Sequence, residues 1–72
     1  MSVETFRDCK NRVACMGDAT TGLVESLYKG VKTRTELPVG AVFTVERDHV
    51  ITKITRISTT AFHVESYYDL AA

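Results

Sequence analysis

Four side chains could bind a soft metal or serve as nucleophile and base: Cys9, Cys15, His49 and His63. Structural zinc sites pair their ligands at spacings of about two to four residues. Here the cysteines stand six apart and the histidines fourteen apart. That spacing predicts two small apolar thiols and two turn or strand histidines, not a metal centre. A nucleophilic Cys–His pair has no local support. Gly17, Gly22, Gly30 and Gly40 are scattered, and none opens a phosphate-binding loop or a Gly-x-Ser-x-Gly elbow. The expectation is a non-catalytic protein without a cofactor.

Charge offers a second kind of chemistry. The nine acids and nine bases cancel over the whole chain. They are unevenly spread: residues 1–28 sum to −1, residues 29–56 to +3 and residues 57–72 to −2. Within the basic middle, Lys32, Arg34, Arg47, Lys53 and Arg56 are the candidate phosphate contacts of a nucleic-acid-binding domain. Against that reading stand a pI near 6.7 and the lack of a ring of exposed aromatics beside the bases, as a stacking platform would require. Lysine and arginine on an outer sheet face also protect edge strands from aggregation.

The apolar residues suggest a protein partner instead. Tyr67 and Tyr68 are adjacent, so on a strand they face opposite ways. In residues 50–57, Val50 and Ile54 read onto one face and Ile51 and Ile57 onto the other. Ile51, Ile57, Tyr67 and Tyr68 are therefore the interface candidates, to be covered by another protein or by a second copy of the chain.

These side chains need elements to hold them. Phe6, Cys9 and Val13 recur at spacings of three and four, opposite Arg7, Asp8, Lys10 and Arg12. This predicts a helix over residues 2–14, capped by Ser2, with Asp8 and Arg12 paired at i,i+4 and a stop at Gly17-Asp18. Leu23, Val24, Leu27 and Tyr28 form a second helical stripe over residues 20–29, ended by Lys29 and Gly30, although Thr20-Thr21-Gly22 could equally open a strand. From Val31 the period becomes two. Strands are expected over residues 31–37, 41–46, 50–57 and from 62 toward 67, joined by turns at Pro38-Val39-Gly40, Arg47-Asp48-His49 and Ser58-Thr59-Thr60. Residues 69–72 read as a frayed tail.

Together these give a single α+β domain: one or two N-terminal helices, then a four-stranded antiparallel meander whose face bearing Phe43, Val45 and Phe62 the helices cover. A small SH3-like barrel with an N-terminal helix outside it is the alternative. A chain of 72 residues buries only a modest core, worth about 3–5 kcal/mol of net stability. No transmembrane run is present, and early charges interrupt any leader, which places the protein in the cytoplasm with reduced thiols. The functional expectation is a small protein-binding regulatory or accessory module, of a kind that suits a phage or other mobile element. Nucleic-acid binding is the alternative.

Overall fold

In the computed structural model, residues 3–28 and 30–70 are described; Ser2, Lys29 and the end of the tail lie outside them. The chain forms seven strands: β1 (Val3–Arg7), β2 (Val13–Asp18), β3 (Leu23–Tyr28), β4 (Val31–Glu36), β5 (Val42–Arg47), β6 (Val50–Arg56) and β7 (Phe62–Tyr68). Every pairing is antiparallel. The first sheet has the order β1-β2-β3-β4 and the second β5-β6-β7. The chain crosses between them at residues 37–41. A shared core lies between the sheets: Phe6, Cys15 and Val24 from the first, Ile54 from the second, and Leu37 from the crossover.

Both expected helices are absent, because there is no helix among the described residues. The α+β reading is therefore corrected to an all-β domain. The four expected strands exist, but they are not one meander: β4 closes the first sheet, and β5 to β7 form the second. The barrel alternative fails as well, since its outer helix is two strands, β1 and β2, hydrogen-bonded to each other.

The reason lies in the segment between those two strands. Asp8 does not sit on a helix face; its carboxylate accepts the amides of Lys10 and Arg12, each at 2.9 Å, inside a hairpin loop. Asn11 takes the left-handed conformation there, with φ of 61°. Asp and Asn are favoured in turns because their side chains satisfy nearby amides and tolerate positive φ. The expected Asp8–Arg12 pair does form, at 3.0 Å, but across this loop. Cys9 and Val13, the supposed apolar stripe, are exposed, whereas Phe6 and Cys15 face each other across the β1–β2 ladder and are buried.

Residues 20–29 follow the strand option. Asp18 Oδ1 accepts the Thr20 amide at 2.9 Å, and the Gly22 amide donates to the Asp18 carbonyl at 2.8 Å, which turns the chain into β3. Gly22 has φ of +81°, and a Cβ there would lie 2.6 Å from Arg56 Nη1. Both the conformation and the crowding demand glycine. Gly17 is needed for space: a Cβ would stand 3.0 Å from Phe6 and 3.3 Å from Phe62, whose rings meet edge to face at 5.2 Å.

Strand β6 is the spine of the second sheet. Val50, Thr52, Ile54 and Arg56 are buried along one side, with Ile51, Lys53 and Thr55 on the other. The two-residue period holds throughout the strand, and Ile57 falls just past its end. The β5–β6 hairpin turns through Asp48 and His49, both at positive φ (51° and 64°), as a two-residue primed turn requires.

Candidate interaction site between the sheets

Two polar hubs hold the sheets together. Arg56 is buried and donates to three carbonyls: from Nη1 to Leu37 at 2.8 Å, from Nε to Ala19 at 3.1 Å and from Nη2 to Thr20 at 3.2 Å. The planar guanidinium thus binds the second sheet to the β2–β3 turn and to the crossover. The second hub is the Asp8 loop. Arg12 donates to Asp8 and also to Asp48 at 2.8 Å, so the β1–β2 loop clasps the β5–β6 turn. Burial alone would raise the Asp8 carboxyl, but the amides of Arg12 and Lys10 and the Arg12 guanidinium outweigh it and hold it below the ordinary carboxylate value. Hydrogen bonding from Arg12 likewise lowers Asp48.

The lateral sides of the sandwich differ. On one side, β1 and β7 approach: Phe6 packs on Phe62, and the Cys9 amide donates to Ser66 Oγ at 2.9 Å. On the other side the sheets stand apart around a cleft of about 350 Å³. Ala14, Ser26 and Thr33 line it from the first sheet, and Phe43, Val45 and Val50 from the second. Asp8 and Arg47 stand at one end of it. Phe43 and Val45 point inward but remain only half buried, because β5 is an edge strand, with no neighbour beyond it among the described residues. The volume falls in the range of ligand-binding clefts.

The interface candidates separate. Ile51 and Tyr67 are cross-strand partners on the outer face of the second sheet, beside Glu46, with Lys53 Nζ 5.9 Å from the Tyr67 ring. Tyr68 lies on the opposite side, level with Val50, and Lys10 Nζ sits 5.5 Å from its ring. Ile57 is exposed in the loop after β6, at the far end of the sheet from Ile51.

The basic candidates separate further. Lys32 and Arg34 sit on the outer face of the first sheet, both paired with Glu25 at 3.2 and 3.1 Å. The Lys32 and Arg34 contacts hold the Glu25 carboxyl below its ordinary value. Lys53 lies on the outer face of the other sheet, and Arg47 lies at the cleft end with Nε 3.9 Å from Asp48 Oδ2. Arg56 is inside the protein. The five do not form one patch.

Sequence reasoning missed the cleft, since it assigned Phe43 and Val45 to a covered core face. It also missed the Arg12–Asp48 clasp, which joins residues 36 positions apart. One signal was available: Val42 to Val45 carries no charge, unlike the Lys32–Arg34 stretch of the other inner-side edge. The thiols are free, Cys9 exposed and Cys15 buried, with burial pushing Cys15 up to about 11. Among the described residues, no group of three His, Cys, Asp or Glu side chains could hold a metal ion. No helix there is long and apolar enough to cross a membrane.

Fold and site define a small all-β domain of two antiparallel sheets with one open, apolar-lined side. No protein-family model, curated protein or solved structure matches the chain.

Proposed function

We propose that the protein is a non-catalytic binding module that accepts an extended protein strand along β5, with the strand's inward side chains entering the cleft between the sheets. The observation that carries this is the half-buried pair Phe43 and Val45 on an unpaired edge strand bordering the cleft. Strand addition gains main-chain hydrogen bonds from such an edge and specificity from pockets for alternate side chains. The dispersal of the cationic residues over separate faces favours a protein partner over nucleic acid, which binds to contiguous basic surfaces.

The test is a displayed library of short extended peptides, with the selected sequences titrated into the ¹⁵N-labelled protein. Expected are peptides with alternating apolar residues, and amide shifts concentrated in residues 42–47 and in the cleft-lining residues of β2 and β3. Shifts confined to the outer faces, or no selected binders, would count against the reading. A duplex or single-stranded oligonucleotide that binds at low salt with loss in Lys32→Glu/Arg34→Glu would favour the nucleic-acid alternative.

A further inference from the structure

We infer that the strand accepted by β5 is β5 of a second copy, so that two chains join through Thr44 into a continuous six-stranded sheet. This rests on the strand-accepting reading above and adds the identity of the partner.

The sheet edges differ in what each would oppose to its own copy. A two-fold axis perpendicular to a sheet keeps both core faces on the same side only if directly opposed residue numbers sum to an even value, because side chains alternate. For β4 (Val31–Glu36), the two fullest such registers oppose Lys32 to Arg34, or Arg34 to itself. For β7 (Phe62–Tyr68), the fullest register opposes Glu65 to itself; the five-residue registers centred on Val64 or Ser66 oppose no like charges, but this side already meets β1 and its loop through the Phe6–Phe62 contact and the Cys9 amide on Ser66 Oγ. Like charges directly opposite are destabilising. Strand β1 has a register shift at Phe6/Arg7 and lies against β7 through the Phe6–Phe62 contact.

Strand β5 is different. With Thr44 opposite its own copy, Phe43 meets Val45 and Val42 meets Glu46 in both directions. No like charges face each other. The inward pairs are aromatic with β-branched, and the axis pair is threonine with threonine, both favourable cross-strand combinations. The neighbouring register, centred on Val45, places Arg47 opposite Phe43 on the inner face and is disfavoured. Phe43 and Val45 already pack against the core on one side, and the Thr44-centred pairing adds apolar neighbours on their open side. Zero net charge adds no long-range repulsion between copies.

Thr44 provides the test, because its side chain is exposed on the outer face and its replacement need not disturb the core. Mass is measured by sedimentation equilibrium from 10 µM to 1 mM for the parent, Thr44→Arg, Thr44→Glu and an equimolar mixture of the two variants, with circular dichroism showing that each variant folds. Expected is a parent of twice the 8.0 kDa chain mass. Each variant alone should self-associate about tenfold more weakly or worse. The mixture should recover the doubled mass, because the introduced arginine of one chain then faces the introduced glutamate of the other. In a Cys9→Ser background, Thr44→Cys should cross-link on oxidation. A parent that stays monomeric to 1 mM overturns the inference. If selected peptides still shift residues 42–47, the strand-accepting reading survives with a different partner; if they do not, both fall. A dimer indifferent to charge at this position would place the interface elsewhere and also overturn it.

Discussion

Replacing Arg56 by leucine tests whether that side chain is a structural member rather than a surface cation. In the native protein its three nitrogens donate to the carbonyls of Leu37, Ala19 and Thr20 at 2.8, 3.1 and 3.2 Å. Thr20 is exposed, so its carbonyl can turn to water after the substitution. Leu37 and Ala19 are buried, and their carbonyls lose their partner. A buried acceptor left unpaired costs about 1–3 kcal/mol. Two such groups give about 4 kcal/mol, which matches the ~3–5 kcal/mol expected for a domain of this size. Arg56→Leu should therefore have a net stability near zero, with folded and unfolded chains in comparable amounts. Arg56→Lys keeps the charge but not the planar fork, and should lie between the two. Urea titration followed by far-ultraviolet circular dichroism measures both. An Arg56→Leu protein within about 1 kcal/mol of the parent, with an unchanged denaturant slope, would refute the reasoning.

Further outcomes are expected elsewhere. The Asp8 carboxyl lies below its ordinary 3.8 in the folded protein, so its contribution to stability is complete above that value and is lost as the pH falls through the folded value. Thermal melts should show this acid loss in the parent, and Asp8→Asn should be less stable at pH 7 by about 1–3 kcal/mol with a flatter acid limb. In the native protein at pH 8 a thiol-exchange reagent should titrate exposed Cys9 rapidly and buried Cys15 only on unfolding, since Cys15 is pushed up to about 11. His49 adopts φ of 64° in a primed turn, so His49→Gly, read by denaturant midpoint, should stabilise the protein by about 1 kcal/mol.

Residues 31–70 were legible because their apolar residues alternate over whole strands: β4, β5, β6 and β7 fall within a residue or two of the expected spans. The first thirty residues were not, for a specific physical reason. In β2 one buried position is Gly17, which adds nothing to a hydrophobic pattern although it makes room for Phe6 and Phe62. In β1 the exposed Val3 and the short edge leave Phe6 as the single buried side chain. The residues between, Asp8 to Arg12, read as a polar helix face, when Asp8 and Asn11 were turn formers. Arg56 was placed with the surface cations although its parity in β6, shared with Val50 and Ile54, already pointed it inward. The cleft was unreadable because it depends on how far two sheets separate, which local periodicity does not encode.

The open side and the small core bear on each other. Arg56 and the Arg12 clasp each join the sheets through polar contacts, and the β1–β7 side is packed, so the β5 side is where apolar surface is left half covered. A partner that binds only the folded chain stabilises it by mass action, by about 2.7 kcal/mol at a concentration one hundredfold above the dissociation constant. That is comparable with the ~3–5 kcal/mol available to the isolated domain. If the partner is a second copy, stability must depend on the protein's own concentration. A tenfold increase is worth about 1.4 kcal/mol per dimer. Shared between two chains of this length, that raises the melting midpoint by about 3–6 °C. Scanning calorimetry at 20 and 200 µM should show that displacement in the parent and a smaller one in Thr44→Arg. Equal midpoints in the parent at the two concentrations would mean that the half-buried Phe43 and Val45 gain nothing from a second β5.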